Sequence, residues 1–168
     1  MDSIVQLILT LIGSQRQATN EELQQIIAHV AQARFSSRPL KINRWLRHEL
    51  EAQGVQVPSE PLPSVEIHLL KRIHLDKQWP LGTSVDGFIA DLHQAVQHPE
   101  VQVWTYRWLG EAFAAFLAPS HVQNVSNPEP LIFVAYSADY DTIKTGFQTS
   151  SSNAIFSDAF ENLTRHQS

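Results

Sequence analysis

Apolar residues recur at helical spacing in three segments of the first third of the chain. In residues 4–12 they point almost all the way round the predicted helix, so we expect both of its sides to be covered. The capping-box pair Thr19 and Glu22 opens a second helix, whose apolar stripe is Leu23, Ile26, Ile27 and Val30. A third helix runs from about residue 41 to 52. Residues 1–54 are therefore predicted to be a helical region.

Prolines interrupt this pattern. Pro58, Pro61 and Pro63 lie within residues 55–64. Because proline locks φ and has no N–H to donate, this segment cannot be helical. We interpret residues 55–64 as a hinge between the helical region and a second domain, residues 65–168.

Residues 65–75 fit two different elements. Their apolar and polar side chains alternate as in a strand, but the Leu69–Leu70 pair breaks the alternation and makes a short helix the alternative. A strand would separate His68 from His74 by about 20 Å, at about 3.3 Å per residue. A helix would instead put His68 and Arg72 on one face. The sequence leaves both interpretations open.

The rest of the chain predicts an antiparallel sheet and one amphipathic helix, over residues 85–96. The expected strands are 101–108, 112–118, 131–137 and 142–149, and a last helix is expected over 154–163. The fold class is thus α+β, with an N-terminal helical region followed by a four- to five-stranded antiparallel sheet. Such a sheet commonly leaves one face in water, and we expect a site there.

Composition narrows the chemistry. The chain has 168 residues, a formal net charge of −5 and no cysteine, which excludes disulfides, thiolate metal sites and a cysteine nucleophile. His93 and His98 are five residues apart and make a poor metal pair on a helix. We therefore predict no metal and no cofactor. Residues 4–12 are too few to span a bilayer, which takes about 20 residues, so a cytoplasmic protein without a membrane partner is expected.

The densest cluster of groups that exchange protons or hold anions is His68, Lys71, Arg72 and His74. Histidine acts as a general acid or base near neutral pH, and lysine and arginine hold phosphate oxygens. Phosphodiester cleavage requires such groups and needs neither metal nor thiol. The alternative is that these residues form the solvated face of a half-buried element.

Two of the predicted strands carry further candidates. Thr145 and Gln148, on opposite faces of the last strand, have side chains able to hydrogen-bond a phosphate or a base edge. An ordinary hairpin is the alternative, because threonine is a good strand former. The aromatic row Trp104, Tyr106 and Trp108 shares one strand face and has the spacing for base stacking. Burial in the core is favoured for these rings.

A basic stretch stands out against the acidic total. Between Leu23 and His48 the chain has no acidic residue and carries the cations Arg34, Arg38, Lys41, Arg44 and Arg47. A basic helix after a capped helix suggests DNA binding, with contacts from Lys41, Arg44 and Arg47, although the connection is longer than a standard helix-turn-helix turn. The alternative is that this surface docks on an acidic protein surface.

The order of elements over residues 64–150 carries a resemblance to a known family. The basic segment HLLKRIH precedes an amphipathic helix, hairpin strands and a last strand pair that ends in IKTGFQTS. This order distantly resembles the small metal-independent ribonuclease toxins that share the barnase, EndoU and RelE-like fold. The stretches WPLGTS and VAYSADYDTIKTGFQ also resemble an uncharacterised bacterial domain family, which implies no activity.

The resemblance to ribonuclease toxins implies a site and partners. Its catalytic residues would be His68, Arg72 and Thr145, and its substrate-binding residues would be Lys71, Tyr106 and Gln148. RNA would be the substrate, and an antitoxin- or immunity-like protein would be a partner. We therefore expect a metal-independent RNA-cleaving or RNA-binding domain. The alternative is a non-catalytic regulatory or interaction module whose N-terminal helices form a homodimer or bind DNA.

Overall fold

The computed structural model describes residues 3–167, apart from the side chain of Ala154. Five α-helices lie in this part of the chain: α1 (Ser3–Ser14), α2 (Asn20–Val30), α3 (Arg44–Ala52), α4 (Ser64–Leu70) and α5 (Val85–Val96). Its seven strands are β1 (Pro39–Leu40), β2 (Leu62–Pro63), β3 (Gln102–Trp108), β4 (Glu111–Pro119), β5 (Leu131–Ser137), β6 (Thr142–Thr149) and β7 (Glu161–His166). The α+β class is confirmed.

Five strands form one antiparallel sheet in the order β6-β5-β4-β3-β7, while β1 and β2 pair separately. Strand β4 is central, as the apolar run 112–118 predicts, and the β3–β4 hairpin sets Tyr106 opposite Phe113. In β6 the pairing shifts, because Ala135 faces Thr145 and Tyr136 faces Ile143. Lys144 is the extra residue of this β-bulge.

One face of the sheet, here the helix face, packs against α1 and α5. The apolar residues of α1 are buried by the chain itself, so their burial requires no second copy: Ile4, Val5, Ile8, Leu11 and Ile12. Helix α5 approaches β6 closely at Gly146, where an added Cβ would lie 2.5 Å from a methyl carbon of Leu92. Two helices thus cover a face for which the sequence predicted one.

The opposite face, here the aromatic face, is not the water-covered surface that the sequence suggested. Its aromatic side chains are covered by residues 150–160, which place Phe156 at 4.5 Å from Trp104 and Phe160 at 4.5 Å from Tyr106, between ring centroids. Tyr106 is buried, whereas 40% of Trp108 is exposed. The face is covered because aromatic rings lie both on the sheet and on residues 150–160, and burying rings against each other is strongly favourable.

The open question over residues 65–75 is settled in favour of a helix. Helix α4 continues into a π-helical turn, Lys71–Leu75, and the strand interpretation is wrong. The chain end differs as well. A short 3₁₀ turn, Ser152–Ala154, and strand β7 replace the helix expected over 154–163. The apolar residues that suggested this helix pack on the aromatic face instead.

The proline-rich segment contributes β2, which pairs with β1 through Leu40 and Leu62. Helices α1 and α2 share the largest apolar cluster with the sheet and α5. Helix α3 packs in a smaller cluster with residues of α4 and the π-helical turn. The division at residues 55–64 into independently folding parts stays a prediction.

Two glutamine side chains pair with the outer strands. Gln78 accepts from the backbone N–H of Gln148 and donates to its carbonyl, both at 2.9 Å, along the edge of β6. Gln17 likewise makes one donated and one accepted bond beside β7, but to two residues. It donates to the Arg165 carbonyl at 2.9 Å and accepts from the Gln167 N–H at 3.0 Å. A primary amide carries one acceptor and two donors, so it can replace a peptide group in a ladder.

Candidate functional site

A cationic groove runs along the outer edge of β6. It has a volume of about 340 Å³ and is lined by Arg34, Ser36, Ser37, Arg38, Pro39, Tyr140, Thr142 and Lys144. Residues 34–36 lie beside β6, because the Ile143 N–H donates to the Arg34 carbonyl and the Ser36 N–H donates to the Ile143 carbonyl, both at 2.9 Å. Phe35 therefore faces the core, and its two neighbours face the groove.

The charge of this groove is positive. Its cations are Arg34, Arg38 and Lys144, and none of its lining side chains is acidic. Within residues 3–167, neither arginine forms an ion pair or a side-chain hydrogen bond. The Lys144 Nζ lies 4.5 Å from the ring centroid of Tyr140, a side chain that is 59% exposed. The groove therefore combines free guanidinium groups, hydroxyls and one exposed ring.

An aromatic cavity of about 490 Å³ adjoins this groove on the aromatic face. Its lining is Tyr106, Trp108, Leu109, Glu111, Phe113, Phe133, Ala135, Lys144, Thr145, Phe147, Ile155 and Phe160. Stacked rings form its walls, with Tyr106 and Phe113 at 5.4 Å between centroids. Lys144 lines both spaces, and it is the residue that the bulge in β6 leaves without a partner across the ladder.

Few polar groups face the aromatic cavity. Within the described chain, Glu111 accepts no hydrogen bond, and its Oε2 is buried 3.9 Å from the Lys144 Nζ. Burial raises the pKa of the Tyr106 hydroxyl, and the charge of Glu111 raises it further. Tyr106 is therefore neutral at physiological pH. The cavity thus offers one carboxylate acceptor among aromatic walls.

Arg72, a predicted catalytic residue, lies inside the fold with 6% of its surface exposed. Its guanidinium donates to the Gly146 carbonyl at 2.8 Å, to Asp76 at 2.8 Å and to the Thr145 hydroxyl at 3.2 Å. Arg72 and Thr145, two of the three predicted catalytic residues, are thus in contact inside the fold. These contacts attach the π-helical turn to β6, and they occupy the groups that would hold a phosphate.

His68 and Lys71 lie on the same helical segment. The His68 ring packs edge-on against Phe35, 5.3 Å away between centroids, and it belongs to the lining of neither space described above. Burial, together with the charges of Arg72 and Lys71, lowers the pKa of His68 to about 4. Its imidazole is therefore neutral at pH 7, and the low pKa makes it a weak general base at that pH.

Gln148 is buried, and its side chain bonds within the protein. It donates to the Gln78 carbonyl and accepts from the Ser120 hydroxyl at 3.0 Å and from the Glu129 N–H at 3.3 Å. Tyr106 and Thr145, in contrast, both line the aromatic cavity. Of the six residues predicted for RNA cleavage, these two reach a common cavity.

The residues predicted for DNA binding divide in the same way. Lys41 and Arg44 are exposed beside Trp45, whose surface is 59% exposed. Arg47 instead pairs with Glu60 and, at 3.7 Å, with Glu51. Two of these three cations are therefore available at the start of α3.

Sequence reasoning missed a polar cluster that connects α2 to the β5–β6 turn. Asp141 accepts from the Tyr136 hydroxyl and lies 2.8 Å from His29 Nε2. Burial acts to raise the pKa of Asp141, but these two hydrogen bonds, together with the charges of His29 and Arg34, outweigh it and leave the pKa below its ordinary value. The cluster holds the turn in place, with Asp141 at a φ of +51°.

Sequence reasoning also missed Glu111 and Lys144 as neighbours. They are on strands separated by β5, and the bulge that directs Lys144 has no signature in the sequence. Arg34 and Arg38, by contrast, were visible as part of the basic stretch.

Within residues 3–167, no three histidine, aspartate or glutamate side chains are grouped as a metal ion would require. None of the described helices has the length and apolar character needed to cross a membrane.

The chain matches no protein-family profile, no curated protein and no solved structure.

Proposed function

We propose that this protein binds single-stranded RNA, with the phosphates in the cationic groove. The observation that carries the proposal is the convergence of Arg34, Arg38 and Lys144 on a groove lined by no acidic side chain, in a chain of net charge −5. Lysine and arginine that face phosphates release counterions and supply most of the affinity of such complexes. A cytoplasmic location, where RNA is abundant, fits this proposal.

Exposed rings favour a nucleic acid over an acidic peptide. Tyr140 lies in the groove, and the exposed Trp45 follows Arg44 at the start of α3. Aromatic rings among cations are typical of single-strand binding, because every base has a face that stacks. The hydroxyls of Ser36 and Ser37 add donors and acceptors for the ribose 2′-OH.

The test is the fluorescence anisotropy of a labelled single-stranded RNA between about 50 and 200 mM salt. Replacing Arg34 and Arg38 by Gln should weaken binding and lower the salt slope by about 1.4, at about 0.7 per lost phosphate contact. The matched control is Arg165→Gln, an exposed charge on β7 at the opposite edge of the sheet. Equal affinity of the double variant and the wild type would refute the groove.

A second variant distinguishes binding at the surface of α3 from binding in the groove. Double-stranded DNA binding through Lys41 and Arg44, the regulatory alternative, has the exposed Trp45 in its favour. A Lys41→Gln/Arg44→Gln variant that loses duplex DNA while keeping single-stranded RNA would support that alternative. An acidic peptide that competes with RNA for the groove would instead identify a protein partner.

Cleavage of the bound RNA stays a prediction, as does the relation to ribonuclease toxins. In that prediction His68 is the general acid or base and no metal is required, but its ring lines neither the groove nor the aromatic cavity, and its low pKa makes it a weak base at pH 7. Incubation of purified protein with RNA in EDTA, beside the His68→Ala variant, tests it. RNA that stays intact with the wild type would contradict cleavage without affecting the binding proposal.

A further inference from the structure

We propose that the aromatic cavity receives one unstacked base of the bound RNA, and that it favours bases with an exocyclic amino group over uracil. This inference rests on the proposed RNA binding, because it gives the neighbouring cavity to the same ligand.

The cavity has the size and walls that a base requires. Its volume of about 490 Å³ lies within the range of about 300–1,000 Å³ that is usual for small-molecule pockets. Its lining includes Phe133 and Phe147, 4.9 Å apart between ring centroids, and Phe160, which stacks on Tyr106. Stacking on aromatic side chains holds any base, so these walls supply affinity and little selectivity.

Glu111 supplies the selectivity. Its carboxylate accepts no hydrogen bond from residues 3–167, and its Oε2 is buried. Lys144 lies near this oxygen at 3.9 Å but does not hydrogen-bond it, and a buried acceptor that accepts no hydrogen bond is costly, so a ligand that donates to it gains affinity. An ionised carboxylate can only accept. Adenine, cytosine and guanine each present an amino group, whereas the one base donor of uracil lies between two carbonyl oxygens that a carboxylate repels.

Lys144 connects the two spaces. It belongs to both linings, with its Nζ 4.5 Å from the Tyr140 ring centroid on one side and 3.9 Å from Glu111 Oε2 on the other. A nucleotide with its phosphate beside Arg34 and Arg38 therefore has its base directed toward the cavity. The ammonium group stands where the sugar-phosphate backbone would pass.

The experiment compares two labelled hexanucleotides, one of uridine alone and one with a single central cytidine. The wild type should bind the cytidine-containing hexamer at least about fivefold more tightly, the lower end of the discrimination that one good polar contact to a base gives. Glu111→Gln, which keeps shape but replaces the charge by an amide that can also donate, should remove this preference by raising the affinity for the uridine hexamer toward that for the cytidine-containing one. Glu161→Gln, an exposed carboxylate on β7, is the control and should keep the preference.

Two results overturn the inference while the proposed RNA binding stands. One is equal affinity for the two hexamers, and the other is a cytidine preference that survives in Glu111→Gln. If neither hexamer binds, the proposed RNA binding in the cationic groove is refuted, and base binding in the cavity is then tested with free nucleosides. Saturation-transfer NMR should then show stronger contact with cytidine than with uridine, a difference that Glu111→Gln abolishes, and the absence of that difference in the wild type would overturn the inference.

Discussion

Replacing Arg72 by methionine separates a structural role from a functional one. Methionine retains much of the apolar bulk but removes three donated hydrogen bonds, to Gly146, Asp76 and Thr145. The Gly146 carbonyl then lies on an outer strand without its partner, and the Asp76 carboxylate loses its counter-charge. The carboxylate left behind is partly exposed, so the unpaired charge and the unpaired carbonyl together cost about 3–5 kcal/mol.

This loss of stability is large enough to measure. For a chain of this size, about 1 kcal/mol corresponds to about 2–4 °C, so the melting temperature should fall by about 6–20 °C. Lys71→Met is the matched control, because Lys71 is a neighbouring cation whose side chain forms no ion pair or hydrogen bond within residues 3–167. The control should change the free energy of unfolding by less than about 0.5 kcal/mol.

The assay combines urea unfolding, followed by tryptophan fluorescence, with RNA anisotropy on the folded variant. We expect Arg72→Met to lose stability and, where it is folded, to bind RNA with the affinity of the wild type. A variant that unfolds within about 1 kcal/mol of the wild type but no longer binds or cleaves RNA would refute the reasoning. Arg72 would then act on the substrate, as the sequence suggested.

Three further outcomes are expected. Gly146→Ala should destabilise the protein by about 1–3 kcal/mol in urea unfolding, because its Cβ would meet Leu92. The double variant with Leu92→Ala should lose less stability than the two single variants added together. Burial lowers the pKa of His68 from 6.5 to about 4, so the unfolded chain binds the proton first and stability falls as the pH drops from about 6.5 to 4, by up to about 3 kcal/mol. His68→Gln should flatten this part of the pH profile, and an unchanged slope would contradict the assignment. Deletion of residues 3–14 should abolish the cooperative unfolding transition, because α1 shares the main core. A truncated chain that still melts sharply would show that the rest of the chain folds independently of α1.

Much of the fold could be predicted because it depends on local patterns. The capping box of Thr19 and Glu22, the helical stripe of α5 and the apolar run 112–118 of β4 each determine their element with little help from the rest of the chain. Residues 154–163 could not be assigned in this way. Their apolar side chains satisfy helical spacing, but packing on the aromatic face and pairing with β3 outweigh that preference.

The candidate site depends on features that no short pattern contains. Arg34 and Arg38 were recognised as cations, but their position beside β6 follows from a pairing over more than a hundred residues, between Phe35 and Ile143. The bulge at Lys144 and the sheet order then bring that lysine to Glu111. Arg72 was singled out for its charge, and its burial became visible only when Gly146 and Asp76 were placed around it.

The two glutamines at the sides of the sheet bear on self-association. A strand at the edge of a sheet is a template on which another chain can add a strand, and aggregation commonly starts there. Gln78 and Gln17 occupy backbone groups at the two opposite borders, so a second sheet meets a side-chain amide where it would need a free peptide group. One neutral glutamine at each border of the sheet thus opposes edge-to-edge association into fibres, a role that charged side chains have in many proteins.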